Sequence, residues 1–338
     1  MNFVTGGSGI VGARLIFDLI SDNQDVTALI RGEKSIEKFK ELISFYTDNV
    51  DNIVNRVKWV YGDITNLESL NNVVPFKAKV YHCAAKISFN KADSQLIEET
   101  NITGTANIVN ICIEKNVQKL CHVSSIGALG NKLNGHCIDE DTPWIYTKKS
   151  PYSLSKYYSE MEVWRGIAEG LDAIIVNPAV ILAAGDWNTG SPQLFSLVAN
   201  KLKYYTEGTT SYVDVRDVTA AMISLMNSNI INERFILAAE TLSYKQFFEK
   251  IALSINVKAP YVKASKFITG LAYRLDAAGS FILNKQRKIT YHTHRISHSK
   301  DCYSGEKIKN HINFSYTPVQ QTIDFIGSCF LKDKGEKQ

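Results

Sequence analysis

Tyr152 and Lys156 stand four residues apart in the stretch SPYSLSKYY. On a helix that spacing is about one turn, so the phenol and the ammonium share a face. A cation beside a phenol stabilises phenolate and draws the tyrosine pKa toward neutrality, which suits the pair to proton transfer. Upstream, CHVSSIGALG ends an apolar run in Ser124 and Ser125, hydroxyls that can hold a carbonyl oxygen. In isolation a tyrosine and a lysine at this spacing are commonplace, so their weight depends on what surrounds them.

A second set of residues sits at the N-terminus, in MNFVTGGSGIVGARL. Gly6, Gly9 and Gly12 follow a short apolar strand and open a helix pattern. In such a loop the first glycine permits a tight turn. The second lets backbone approach a pyrophosphate, and the third lets helix and strand pack closely. Ile10 and Val11 then begin a helix whose exposed N–H groups and positive dipole end face the phosphates. A plain structural turn is the alternative for three glycines alone, and the strand–helix junction favours the dinucleotide loop. At the end of the second strand, where an NAD site carries an acid, TALIRGEKS places Arg31. A guanidinium there pairs with a 2′-phosphate, so NADP(H) is favoured over NAD, with Lys34 and Lys38 near enough in sequence to assist. A solvated surface arginine is the bland alternative. Asp63 and Ile64, in YGDIT, follow another strand; the carboxylate can accept from adenine, cap a turn, or do both.

These groups need a scaffold. NFVTG, DVTALIR, VKWVYGDI, KVYHCAA, KLCHVSS and DAIIVNPAVIL read as strands, separated by helix patterns such as GARLIFDLISDN, ETNITGTANIVNICIEKN and the Tyr152–Lys156 segment. That alternation predicts right-handed βαβ units and a parallel sheet covered on both faces. The expected fold class is α/β: a Rossmann-type, doubly wound sheet with a smaller, mainly helical C-terminal substrate lobe. The expected division is a dinucleotide-binding domain over 1–184, to which segments such as 211–240 return, a lobe over most of 185–330, and a frayed tail over 331–338. RGEKSIEKFKELISFYTDNVDNIVNR reads as a helical insertion, the apolar residues around Trp164 as packing, and DWNTGSP (186–192) as a substrate loop rather than a plain turn.

Composition excludes several classes. The chain has 338 residues, 45% hydrophobic and 21% charged, with a net charge of +4, which is ordinary globular composition. No basic stripe with interleaved aromatics argues for nucleic acid. FITGLAYRLDAAGSFIL is interrupted by Arg274 and Asp276 and reads as amphipathic helix rather than a membrane span. The glycine loop begins at residue 6, which leaves no room for a secretory leader. The six cysteines (83, 112, 121, 137, 302 and 329) lack CxxC spacing and read as reduced thiols, pointing to the cytoplasm. His292, His294 and His298 lie close together in HTHRISH without a nearby cysteine or acid, so no metal is expected.

Taken in order over roughly residues 1–225, these stretches resemble the extended short-chain dehydrogenase/reductase family, within the NAD-dependent epimerase/dehydratase superfamily. TGGSGIVG is similar to its glycine loop, GDIT to its adenine-side motif, and HCAA (82–85) to the segment beneath the cofactor. NITGTANIV, YSLSK and YVDVRDVTAAM match its later motifs, and the segments around them look most like the dihydroflavonol-4-reductase-like branch. The resemblance implies Tyr152 as general acid/base. It implies Lys156 as the residue that binds the nicotinamide ribose and depresses the tyrosine pKa, and Ser125, which precedes the IGALG run, as catalytic serine with Ser124 as its neighbour. It further implies that Ala84, Ala85 and Lys86 line the cofactor, that Asn101 supports the site, and that Asn177, Pro178 and Val180 border the nicotinamide.

The implied reaction is reduction of a ketone or aldehyde by NADPH, or the reverse alcohol oxidation, on a small-molecule substrate. Ser125 and Tyr152 hydrogen-bond the oxygen and Tyr152 supplies the proton. Two alternatives stay open. One is a nucleotide-sugar epimerase or dehydratase with tightly held NAD, although no acidic pair stands in the serine segment. The other is a non-catalytic NADP-binding regulator, which the intact serine, tyrosine and lysine disfavour. Family members often dimerise through helices bordering the sheet, so a homodimer is the assembly the resemblance allows.

Overall fold

Strands buried along their whole length, without alternation, need cover on both faces. In the computed structural model, which describes residues 1–88, 90–131, 136–144, 150–282 and 291–335, β1 (Asn2–Thr5), β2 (Val26–Ile30) and β6 (Ala173–Pro178) are of this kind. The chain runs β1, α1 (Ile10–Ser21), β2, α2 (Lys34–Ile43), α3 (Val50–Arg56), β3 (Val57–Tyr61), α4 (Leu67–Val73) and β4 (Lys79–His82). It continues through α5 (Ser94–Glu98), a π-helical turn (Glu99–Thr103), α6 (Gly104–Glu114), β5 (Lys119–Val123), α7 (Pro151–Ala168), β6 and β7 (Val180–Leu182). The remainder is α8 (Gln193–Ala199), β8 (Tyr204–Tyr205), β9 (Thr209–Asp214), α9 (Val215–Asn227), β10 (Glu233–Leu237), β11 (Glu240–Ser243), α10 (Tyr244–Ser254) and β12 (Val262–Lys263), then α11 (Lys266–Ile282), α12 (Tyr291–Ile296), α13 (Glu306–Ile312) and α14 (Val319–Gly335).

The main sheet has seven strands in the order β10-β6-β5-β4-β1-β2-β3, all parallel. It is the Rossmann-type α/β sheet expected. Strand order reverses at β1, which pairs β2 on one side and β4 on the other, with Thr5 opposite both Leu29 and His82. In open sheets of this kind the crevice outside the carboxyl ends at that reversal is where ligands bind. One face packs α1 and α9 through Leu15, Ile16, Val218 and Met222, and the other packs α6 and α7 through Ile108, Val109 and Val163. Each such side chain contributes on the order of 1.5–3 kcal/mol when fully buried. β10 adds the seventh strand from late in the chain. The stretch between β2 and β3 folds as the two helices α2 and α3.

β9 pairs β7 and β11 in a second sheet, which with α8, α10 and α14 encloses a separate core around Trp187, Phe195, Phe247 and Phe330.

Three expectations change. The run DAIIVNPAVIL is two strands in two sheets: β6 ends at Pro178, and Ala179 N–H donates to Leu237 O before β7 joins β9. The segment 331–335 is the last turn of α14, anchored by buried Phe330 and by the Trp187 indole donating to Asp333. In the segment 186–192, Trp187 is core and Asp186 holds the turn by accepting from Asn188 and Thr189. Finally, the cysteines are not all thiols. Cys137 and Cys302 form a disulfide with Cα atoms 4.8 Å apart, while Cys83, Cys112, Cys121 and Cys329 are free. The bridge forms because Ile138 pairs with Tyr303, which brings together chain segments that the sequence keeps 165 residues apart. No helix among the described residues is long and apolar enough to cross a membrane.

Candidate active site at the sheet's carboxyl edge

The glycine loop turns because Gly6 takes φ +75°, a conformation L-residues with side chains avoid. Its α-carbon faces the strand-end of β4 so closely that an added Cβ would stand 2.5 Å from Ala84 N. Gly12 packs on the loop itself, a Cβ there meeting Gly6 O at 2.3 Å. Gly9 differs: it precedes α1 in extended conformation, and a Cβ would meet nothing nearer than Gly6 O at 3.4 Å. The N-terminus of α1, with Ile10 and Val11, therefore opens into space that a side chain at 9 would narrow. That cradle fits a dinucleotide pyrophosphate. Arg31 is exposed just past β2 on the same edge of the sheet. Two residues on, Glu33 accepts a hydrogen bond from the Tyr61 phenol. Asp63 takes the turn role, its Oδ1 accepting from Thr65 N–H at 2.9 Å and from the Thr65 hydroxyl at 2.8 Å. Ile64 is buried against Gly104.

The loop after β4, with Ala84, Ala85 and Lys86, is clamped by Asn101. The Asn101 side chain accepts from Lys86 N–H at 2.7 Å, donates to Lys86 O at 3.0 Å and donates to Ser155 Oγ at 2.8 Å. Asn101 lies in the π-helical turn, a local widening that recurs at functional sites. Ser155 Oγ in turn donates to Tyr152 O, so the clamp reaches the tyrosine helix.

At the start of α7, Ser150 caps the helix by accepting from Ser153 N–H, and Pro151 occupies the first turn where no N–H is needed. This sets Tyr152 beside Ser125, to which its hydroxyl is hydrogen-bonded. Ser125 Oγ also accepts from Gly127 N–H at 3.0 Å. Ser125, Tyr152 and Val180 share the wall of a cavity of about 270 Å³, completed by Ile138 and by Asp301 and Tyr303 from the far side. Among the described residues none of 186–192 lines it.

Lys156 is 2% exposed and its Nζ donates to Val123 O at 2.7 Å. Burial draws its pKa down to about 8, against the raising effect of Glu160. The expected depression of Tyr152 is not found in this arrangement: burial pushes the phenol up, with Ser125 working in the opposite direction. The ammonium is committed to a carbonyl rather than to the phenol, so desolvation prevails.

Asn177, at the end of β6, donates through Nδ2 to Ser125 O at 3.0 Å and to Glu160 Oε1 at 2.5 Å. Its Oδ1 is buried and has no partner among the described residues, an acceptor that a donor on a bound group would satisfy. Next to it, Pro178 is buried at the strand end.

Sequence reasoning missed three groups. Glu160 is fully buried beneath Ser124 and is paired with Arg234. His82 bridges Thr5 and Thr105 at 2.8 and 3.0 Å. Because the Thr105 hydroxyl spends its proton on Asn101 O, His82 Nε2 must donate and Nδ1 accept. Burial holds this ring neutral, its pKa down to about 3. Both His82 and Thr105 lie inside motifs quoted above, HCAA and NITGTANIV, which was the available signal. The third group, the Cys137–Cys302 bridge, had none. Of the histidine cluster, His294 and His298 each share a hydrogen bond with Thr269, at 2.8 Å in both cases, and the His292 side chain lies outside the described residues.

The sequence model of the NAD dependent epimerase/dehydratase family matches residues 2–238. Among relatives, sterol demethylase protein B of Methylococcus capsulatus is 24% identical over 300 residues, covering 88% of each chain. A dihydroflavonol 4-reductase of Gerbera hybrida is 25% identical over 259 residues, covering 72% of this chain and 69% of its own. The solved structure of gox2253 superposes with a TM-score of 0.80 at 23% identity, covering 98% of both chains.

Proposed function

The chain belongs to the NAD dependent epimerase/dehydratase family, and from that membership we propose an NADP(H)-dependent oxidoreductase that reduces a ketone or aldehyde carbonyl, or oxidises the corresponding alcohol. The observation that carries this reading is the meeting of Ser125 and Tyr152 on one cavity wall with Lys156 buried beneath. Gly6, Gly9, Ile10, Val11 and Gly12 would hold the pyrophosphate. Arg31 would hold a 2′-phosphate, Asp63 and Ile64 the adenine side, and Ala84 to Lys86 with Asn177 and Pro178 the nicotinamide half. When bound, the dinucleotide supplies or accepts the hydride.

The chain's own part is to bind, orient and move a proton. A substrate carbonyl oxygen accepts hydrogen bonds from Ser125 and Tyr152. As negative charge develops on that oxygen, the Tyr152 hydroxyl gives up its proton, and the C–O group leaves as an alcohol. In this reading the Lys156 charge, held by Val123 O while the phenol keeps its proton, would turn to the phenolate left behind, and the tyrosine regains its proton from solvent. Alcohol oxidation runs through the same groups in reverse.

A second reading is an epimerase that keeps NAD bound. The observation favouring it is Glu33, a carboxylate two residues from Arg31, although Tyr61 already holds it. A small-molecule enzyme completes the first reading, while the cytoplasmic placement expected from reduced thiols loses that support with the Cys137–Cys302 bridge. Its test is to denature the purified protein, identify any released dinucleotide, and titrate the stripped chain with NADPH and NADH. Preference for NADPH, followed by turnover in a carbonyl screen, supports the reductase. Stoichiometric, tightly held NAD with no net carbonyl reduction overturns it in favour of the epimerase.

A further inference from the structure

Glu160 is left over once Ser125, Tyr152 and Lys156 have their parts. It lies on α7 one turn past Lys156, has no exposed surface and does not line the substrate cavity, so it neither gives a proton to substrate nor takes one. All its partners are donors. Ser124 Oγ donates to Oε1 at 2.5 Å, Asn177 Nδ2 donates to the same oxygen at 2.5 Å, and Arg234 Nη1 stands 3.5 Å from Oε2. The Asn177 amide cannot be reversed, since its oxygen would then face two acceptors, Ser125 O and Glu160 Oε1. Burial pushes this carboxyl up, and Ser124, Arg234, Asn177 and Lys156 work against burial in favour of the ionised form.

Two consequences follow for the reacting groups. Ser124 is tied by its side chain and Ser125 by its backbone oxygen, through Asn177, to one carboxylate. The strand end that presents the Ser125 hydroxyl is thereby fixed from below. One turn apart on α7 and both buried, Glu160 and Lys156 lie on the same face of that helix, so the carboxylate's charge acts on the ammonium. His82 at the end of β4, Cys83 just after it and His122 on β5 face that ammonium. Burial keeps both rings neutral and pushes the Cys83 thiol up to about 12. Arg234, from β10, approaches Glu160 from its other side.

We propose that Glu160 is a positioning residue: it orients Ser125 through Asn177 and Ser124, and it is the buried counter-ion that keeps Lys156 protonated. The kinetic part rests on the oxidoreductase reading; the counter-ion part does not.

The test is Glu160→Gln, which keeps shape and an accepting oxygen but removes the charge. The expected results are a kcat lower by about tenfold or more, a carbonyl KM within about twofold, and an alkaline limb of the reduction rate moved down by about one pH unit. Nuclear magnetic resonance of lysine labelled at the side-chain nitrogen, with Lys156 assigned by Lys156→Arg, is expected to give the same downward shift of its titration without any substrate. Glu160→Asp restores the charge but not the reach. It is expected to recover the alkaline limb while kcat stays low. Should Glu160→Gln fold poorly because Arg234 is left unpaired, Glu160→Gln combined with Arg234→Met removes the pair together and carries the same measurements. A purely structural role predicts lower thermal stability with the pH limb and the Lys156 titration unmoved, and that result overturns the proposal. If no carbonyl is reduced by the wild-type chain, the oxidoreductase reading falls, while an unshifted Lys156 titration overturns the counter-ion role and a shifted one upholds it.

Discussion

Burial draws the Lys156 ammonium down to about 8 and pushes the Tyr152 phenol up, so across the neutral range the lysine is charged and the tyrosine keeps its proton. A protonated phenol beside Ser125 is an acid ready to give, which suits reduction. Lys156 is charged below its pKa, so carbonyl reduction is expected to hold steady at lower pH and to fall as pH rises through about 8. A profile of kcat/KM against pH checks this, and a rate still climbing above that point would count against the assignment. Tyr152→Phe removes the proton donor and is expected to cost about 10²–10⁴ in turnover, with NADPH affinity, followed by fluorescence titration, within about twofold. The pair was legible because two residues four apart on a helix must share a face, whatever the rest of the chain does. The direction of the tyrosine shift was not. It depends on how deeply α7 is buried and on Val123 O taking the ammonium, neither of which is written in the local spacing.

At the scale of elements, the glycines of one loop separate folding from binding. Gly6 has a positive φ and its α-carbon stands against the Ala84 backbone. Gly6→Ala is therefore expected to destabilise, by at least the ~1–2 kcal/mol of a left-handed alanine, and thermal unfolding would register several degrees of loss. Gly9 has ordinary extended dihedrals and room for a methyl group. Gly9→Ala is expected to unfold within about 2 °C of wild type yet bind dinucleotide about tenfold more weakly, about 1.4 kcal/mol. Unchanged affinity at Gly9→Ala would argue that the phosphates lie elsewhere. The strand–helix alternation and the glycine spacing were readable because both are periodic and local. The break of DAIIVNPAVIL into β6 and β7 could have been suspected from Pro178, which has no N–H to continue a ladder. What could not be read is that the chain beyond it changes sheets, because β9 and Leu237 are supplied from far downstream. The Glu160 network was hidden for a related reason: its members come from the residue after β5 and from α7, β6 and β10, and only the assembled sheet brings them together.

At the scale of the whole molecule, the cavity has two walls of different origin. Ser125 and Tyr152 stand on the seven-stranded sheet and its α7 cover, whereas Asp301 and Tyr303 come from a late segment laid against the sheet half by a few bonds. Ile138 N–H donates to Cys302 O at 2.9 Å, Ser304 N–H donates to Ile138 O at 2.8 Å, and Cys137–Cys302 closes the junction covalently. The bridge thus joins the residues next to Ile138 on one wall to those next to Asp301 and Tyr303 on the other. Cys137→Ser, or a dithiol reductant on wild type, is expected to lower stability by roughly 2–4 kcal/mol, because a long loop in the unfolded chain is no longer closed. The carbonyl KM is expected to rise several-fold while kcat stays within about twofold, since substrate binding uses both walls and proton transfer uses only the sheet-borne one. Cys112→Ser, at a free thiol buried away from the cavity, controls for the loss of a sulfur. Steady-state kinetics with and without reductant, beside thermal melts, separate the outcomes. A fall in kcat with constant KM would mean that the far wall reaches into proton transfer. No change in either KM or stability would mean that the hydrogen bonds at Ile138 hold the two walls without the sulfurs.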